Sequence, residues 1–484
     1  MMVKRDYSGN LHRTLPAVTE SVTSIQESFM NAAQPSTVKR SQNLPLFCKP
    51  IAVLSFAMVA IPYIESLALA DATTQPLVQG TDISFVGKFG ITNAAIGCQG
   101  FTYGGRGMSF WKDGSGRKTL FMQGHDYRPE CAGQVQVPAD AQLKSAATNY
   151  SNLTMATVLQ APAVYSIDPS GVNRFGGSGL DSNNGNPIVT QGFLVYNGRL
   201  IITAQNTYSF YQTASIASKG STTLSAPDFS SLGFQGFSSA VTANPRSASG
   251  YIFLIPPEWR GSTLFNAPAM TGNCCWSVIS TSSGGPALTT FNPDDVGVVN
   301  PVPGKTVLHY QTPTTPVSCP TDGACQSNVF NLTSRVIGGG FVPNTRTVFF
   351  VEGHGTGPYC YGTAAECGND TVMSDVKGPH AQPYRYQILA YDANELISVK
   401  NGTLQTHQPR PYNQASPWVL PELDGNDPRG HGAAFDPETG RLYVRVLDGN
   451  SPQVYVYQFA VPIGGPVTVS PVTLPTPGTL RIVP

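Results

Sequence analysis

The sequence predicts an all-β fold, a closed ring of small antiparallel sheets, and three observations lead there. Charged residues make up only 12% of the 484, and the 49 Gly and 40 Pro outnumber the 29 Lys plus Arg and 29 Asp plus Glu combined. Many turns between short strands give such a composition, whereas helix-rich folds need the long charged side chains that are scarce here. Apolar runs then break abruptly into Gly-rich polar loops at Lys118–Asp126 (KTLFMQGHD), Thr347–Tyr361 (TVFFVEGHGTGPYCY) and Arg441–Gly449 (RLYVRVLDG), as buried strands do on reaching a surface. Finally, one hairpin recurs: a small-apolar strand, an Asp/Asn/Pro/Gly turn, and a longer apolar strand. Its irregular spacing argues against a solenoid and suits a β-propeller, whose blades tolerate long loops at the rims.

Residues 1–47 are polar and without pattern. Lys49-Pro50, the apolar run Ile51–Ile64 and Ala68-Leu69-Ala70 read as a secretory signal cleaved after Ala70, so 1–70 is taken as extension plus signal. The run is short for a membrane span and carries Pro62; an uncleaved anchor is the alternative, and a later translation start would account for the extension.

Six strand groups follow in the propeller region, 71–460. The first holds Gly107–Phe110, Lys118–Gln123, Gln134–Val137 and Ala156–Leu159. The second is a hairpin, Gln191–Tyr196 and Arg199–Gln205, turning at Asn197-Gly198. The third has Ser238–Thr242 and Gly250–Ile255, and the fourth Pro286–Phe291 and Thr306–Tyr310. The fifth runs through Gly339–Val342, Arg346–Val351, Arg385–Tyr391 and Trp418–Pro421. The sixth has Gly432–Phe435, Arg441–Leu447 and Val454–Phe459, and Asp82–Lys88 is placed to supply its outer strand and close the ring. Residues 461–484 are Pro/Val/Thr-rich and nearly uncharged, as in an extended tail.

The segment Gly430–Phe459, GHGAAFDPETGRLYVRVLDGNSPQVYVYQF, resembles a blade of the NHL-type six-bladed propellers. The six strand groups give six blades, with seven as the alternative count, and the resemblance implies a fold rather than a function. Separate β-sandwich domains are the competing architecture.

Eight cysteines follow the signal region: Cys98, Cys131, Cys274, Cys275, Cys319, Cys325, Cys360 and Cys367. An even number in a Gly/Pro-rich exported chain, with no CxxC or Cys/His zinc spacing, favours disulfides. Cys319/Cys325 and Cys360/Cys367 are spaced to staple single loops, Cys98/Cys131 to tie the first group, and Cys274-Cys275 to form a vicinal bridge or two separate ones. Net charge is zero, and no basic run follows the signal region, so nucleic acid and anionic membrane are not expected partners. No cofactor motif is present; a divalent cation is the one addition left open. Adjacent cysteines occur in some quinone-cofactor propellers, but the tryptophan-rich blade motifs of that class are missing.

In a propeller, equivalent strands end at the same rim. If Lys118–Gln123, Arg346–Val351 and Arg441–Val446 are equivalent, His125-Asp126, His354 and Asp448 reach one rim, joined by Gln205-Asn206. His125 and His354 can exchange protons near neutral pH, and Asp126 and Glu352 can orient them or act as acid or base. His380, in KGPHAQPYRYQ, completes the catalytic candidates. Arg128, Asn206, Tyr359, Tyr361, Tyr384 and Asp448 are the ligand-binding candidates, the tyrosines as stacking surfaces for sugar rings. Each has a plainer reading: a polar residue after a strand often caps the turn, Arg128 can pair with Glu130, and loop tyrosines can fill their own loop. His309, His407 and His431 read as structural or exposed. Hydrolysis needs two carboxylates, drawn here from Asp126, Glu352, Asp375 and Asp448, whereas a lyase can use His and Tyr. The expected protein is therefore a secreted or periplasmic propeller binding a glycan or similar polar ligand at its rim, with cleavage by hydrolysis or elimination left open. The alternative is a non-catalytic propeller that binds an envelope protein.

Overall fold

The computed structural model describes residues 71–460 apart from 105, 126–127, 176–187, 207–213, 239–244, 274–282, 312–315, 318–326, 364, 368–377, 426–430 and 449. The signal region, the tail after 460, Asp126, Asp375, Cys274, Cys275, Cys319 and Cys325 lie outside the described residues, as do the side chains of Asn206 and Asp448.

Among the described residues the first strand is β1 (Ile83–Gly90), and five blades follow it in succession. Blade 1 is β2 (Met108–Lys112), β3 (Lys118–Gln123), β4 (Cys131–Gln136) and β5 (Thr157–Val164). Blade 2 is β6 (Ile188–Tyr196), β7 (Arg199–Asn206) and β8 (Ile216–Lys219), with single bridges Lys219↔Phe229 and Ile216↔Gln235 where a fourth strand would run. Blade 3 is β9 (Tyr251–Leu254), β10 (Ala269–Gly272), β11 (Leu288–Phe291) and β12 (Gly304–Leu308). Blade 4 starts with β13 (Arg335–Phe341) and β14 (Thr347–Gly355) and is interrupted by a ribbon, β15 (Cys360–Gly362) with β16 (Gly378–His380). It resumes with β17 (Tyr384–Asp392), the helix α1 (Ala393–Lys400) and β18 (Trp418–Val419). Blade 5 is β19 (Gly432–Asp436), β20 (Arg441–Asp448) and β21 (Ser451–Phe459), completed by β1, which pairs antiparallel with β21 from Ile83↔Phe459 to Gly90↔Gln453. β1 thus closes the ring on blade 5, leaving β21 no open edge.

The molecule is a five-bladed propeller, and the expected six or seven blades are corrected. The third and fourth groups of the sequence reading are one sheet: β9 and β11 both pair with β10, a four-residue strand between Pro- and Gly-rich loops whose apolar signal is too short to read. Ser238–Thr242 forms no strand at its one described residue, Ser238.

Local chemistry explains the turns. Asn197 and Gly198 take φ of 49° and 74°, the left-handed pair a two-residue hairpin loop requires, and Tyr196↔Arg199 closes it. At the β19–β20 turn, Asp436 Oδ1 accepts from the backbone N–H of Glu438 at 2.9 Å and Gly440 takes φ of 70°.

Apolar side chains gather between the blades, one cluster to each seam. Phe121, Phe193 and Leu200 fill the seam of blades 1 and 2, and Leu194, Ile252 and Ala269 that of blades 2 and 3. Phe253, Phe341 and Phe350 fill the seam of blades 3 and 4, and Val351, Ile388 and Tyr457 that of blades 4 and 5. Leu120, Met122 and Tyr443 fill the seam of blades 5 and 1. Each blade is therefore stable only between its neighbours, which makes closure of the ring a condition of folding.

Candidate functional site

The inner strands β2, β6, β9, β13 and β19 bring their C-terminal halves together at one end of the central channel. Their starts, and the ends of the antiparallel second strands β3, β7, β10, β14 and β20, therefore face the other end. Five second-strand positions lie in register with these inner-strand starts. Gln123 bonds back to Gly107, Gln205 pairs with Val189, Glu352 with Val336 and Arg445 with Gly432, and Asn273 follows the Gly272↔Tyr251 pair. All five are polar, and all five are buried.

Burying polar groups is costly unless they are paired, so the partners are informative. In the seam of blades 5 and 1, the Arg445 guanidinium donates to the carbonyl of Gln123 at 2.7 Å and to that of Phe101. In the seam of blades 2 and 3, Asn273 Nδ2 donates to Gln205 Oε1. In the seam of blades 3 and 4, Glu352 holds His354 Nδ1 at 3.2 Å and accepts from Gln387 Nε2 at 3.1 Å. In the seam of blades 4 and 5, the Tyr386 hydroxyl lies 2.6 Å from His431 Nδ1. Among the described residues, the Gln123 amide, facing the seam of blades 1 and 2, meets no protein partner at either its oxygen or its nitrogen, and Gln205 Nε2 meets none. Each apolar seam thus ends in a polar plug on the same side of the ring.

Two loops rise above this polar layer. On blade 1, β3 runs through Gly124 to His125, whose ring centroid is 5.3 Å from that of Tyr103. The loop carrying Tyr103 is tied to β4 by the Cys98–Cys131 disulfide, and Tyr103 takes φ of 57°, a left-handed conformation an aromatic residue holds only when its surroundings impose it. On blade 4, the β15–β16 ribbon carries Tyr359 and Tyr361 and is closed by Cys360–Cys367. Burial raises the Tyr359 hydroxyl pKa, with Tyr361 adding to the rise and Arg335 opposing it, which places these three side chains in one electrostatic neighbourhood. Among the described residues, the aromatic side chains counted as exposed are Tyr103, at 50%, and Tyr361, at 45%. They sit on the two disulfide-held loops.

The sequence-predicted residues are distributed as follows. His125 and His354 lie at the second-strand ends of blades 1 and 4, on the same side of the ring but on blades that are not neighbours in it. His354 is enclosed: Ser334 Oγ is 3.0 Å from its Nδ1 and Asn331 Nδ2 3.4 Å from its Nε2. Glu352 points inward with it, not outward to solvent. His380 is buried in the ribbon and donates through Nε2 to the Gly362 carbonyl at 2.9 Å. Arg128 pairs with Glu130 at 2.7 Å, and Tyr384 is buried at the start of β17. Asn206 and Asp448 close β7 and β20. The structure thus gathers Glu352 and His354, and Tyr359 with Tyr361. Tyr103 was missed because it lies in no strand; its position between Cys98 and Cys131 was the available signal. Among the described residues no group of three or more His, Cys, Asp and Glu side chains gathers as a metal site.

No protein-family model matches the chain, and no curated protein matches it, so membership of the NHL family is not supported. Among solved structures, a glycosyl hydrolase from Bacteroides ovatus is 8% identical, with a TM-score of 0.35 over 74% of this chain and 84% of its own. A GH43 endo-arabinanase from Bacillus licheniformis is 11% identical, with a TM-score of 0.33 over 74% of this chain and 94% of its own. At such values the likeness carries no argument about activity, and the propeller rests on the sheets and seams themselves.

His309 follows β12, the outermost strand of blade 3, whose end lies level with the end of β10. Burial pushes its imidazole down to about 4 from the usual 6.5, and among the described residues Nε2 is buried without a partner. Below pH 6.5 the unfolded chain takes up a proton that the folded chain refuses until about pH 4. Stability therefore falls as pH drops through that window, by at most about 1.4 kcal/mol per unit from this group. Urea titrations across the window are expected to show a shallower slope for His309→Gln than for wild type.

Proposed function

We propose that this chain is an extracytoplasmic propeller that binds a glycan across the face where the second strands end. The observation carrying the reading is that the exposed aromatic side chains among the described residues, Tyr103 and Tyr361, both sit on this face, on loops held by disulfides. A rigid, solvent-facing tyrosine offers a flat apolar surface for a sugar ring and loses little entropy on binding. The disulfides also fit an oxidising compartment. In this reading Tyr103, His125, Tyr359, Tyr361 and Arg335 touch the ligand. Arg128, Tyr384, Asn206, Asp448 and His380 belong to the surrounding rim. Glu352 and His354 lie beneath, where both carboxylate oxygens of Glu352 are engaged, and they position the blade 4 loop.

Calorimetric titration against a panel of soluble polysaccharides and their oligosaccharides tests this. Tyr103→Ala and Tyr361→Ala are each expected to weaken the best binder by about 0.5–1.5 kcal/mol, roughly two- to twelvefold. Because both side chains are exposed, the melting temperature should stay put. Unchanged binding in the double variant would remove the reading, as would a panel with no binder alongside a stoichiometric protein partner from an envelope extract. Reducing ends and unsaturated products measured in the same samples separate cleavage from binding alone.

A further inference from the structure

The opposite end of the channel has different chemistry. A cavity of about 210 Å³ lies there between the inner strands of all five blades. Trp111, Val195 and Phe435, each the last but one residue of its inner strand, and Leu254, the last of β9, are only half-buried where they line it, while neighbours such as Met108, Leu194 and Ala434 are buried. An apolar cavity of about 150 Å³ already accepts a benzene ring, so this one has room for a single ring with a small substituent.

The mouth supplies a charge. Lys112 at the end of β2 and Glu438 in the β19–β20 turn both line the cavity, and their side chains meet at 2.6 Å across blades 1 and 5 while remaining 44% and 59% exposed. An exposed pair of this kind contributes little and opens readily. Asp436, beside it, is already occupied by the N–H groups of Glu438 and Thr439, by the Thr439 hydroxyl and by Lys118 at 3.8 Å. A ligand carboxylate can therefore take the place of Glu438 on Lys112 without facing Asp436 as a free charge.

We propose that this end of the channel is a second ligand site, for a single-ring aromatic carboxylate whose ring enters the apolar throat and whose carboxylate pairs with Lys112. It is independent of the glycan reading, since none of its residues belongs to the tyrosine-bearing face. Fluorine NMR of 4-fluorobenzoate with the full chain is the test, with unlabelled benzoate as competitor. Saturable line broadening reversed by benzoate is expected, weakened roughly two- to fivefold by Lys112→Met and strengthened by Glu438→Gln, which releases Lys112. Tyr103→Ala and Tyr361→Ala should leave it unchanged. Absence of saturable binding, equal binding in both charge variants, or loss of binding in the tyrosine variants would each overturn the proposal.

Discussion

Arg445→Met is expected to destabilise the protein by about 2–4 kcal/mol, although methionine fills a similar length of seam. The Arg445 side chain is fully buried between the last blade and the first, where it donates to the carbonyls of Gln123 and Phe101. Methionine avoids burying a charge, but it leaves two carbonyls enclosed without donors, each worth about 1–3 kcal/mol. Because Phe101 lies in the loop that also carries Tyr103, the substitution should weaken ligand binding on that face as well as the fold. Urea unfolding should show a lower midpoint with an unchanged slope. Arg445→Lys, which keeps the charge but cannot fork between two carbonyls, should fall between the two. A wild-type midpoint for Arg445→Met would mean that the clasp contributes nothing to closure.

Removing residues 71–90 should have a still larger effect. The deletion takes away β1 and exposes β21 along its length, from Gln453 to Phe459. It also strips Phe89 from the cluster between blades 5 and 1. An open propeller presents a long unpaired edge to other copies of itself, so the shortened chain should aggregate and lose its cooperative melt. Size-exclusion chromatography and circular dichroism measure both. A monomer that melts at the wild-type temperature would show that the ring does not depend on its first strand.

Much of this fold is legible in the sequence because each signal is local. Asn197-Gly198 states its turn through backbone preference alone, and the apolar runs of β3, β14 and β20 announce their own ends. Even the closing strand could be placed, since blade 5 visibly lacked an outer partner. Blade number was not legible, because Ala269–Gly272 gives four residues of signal between breakers and splits one sheet into two apparent groups. The polar plugs were hidden for another reason. Whether Gln123, Gln205 or Arg445 faces a seam, and whether a partner waits there, is a property of the neighbouring blade and not of the strand that carries the residue. Glu352 shows the same limit: its alternation along the strand left both faces open, and only its contacts with His354 and Gln387 show that it points inward.

The central claim is that ligand binds where the second strands end, over the polar plugs and against Tyr103 and Tyr361. The most direct test is a crystal structure with the tightest-binding oligosaccharide from the panel. The account predicts sugar rings stacked on one or both tyrosines on that face; sugar density only elsewhere, with both tyrosines bare, would contradict it.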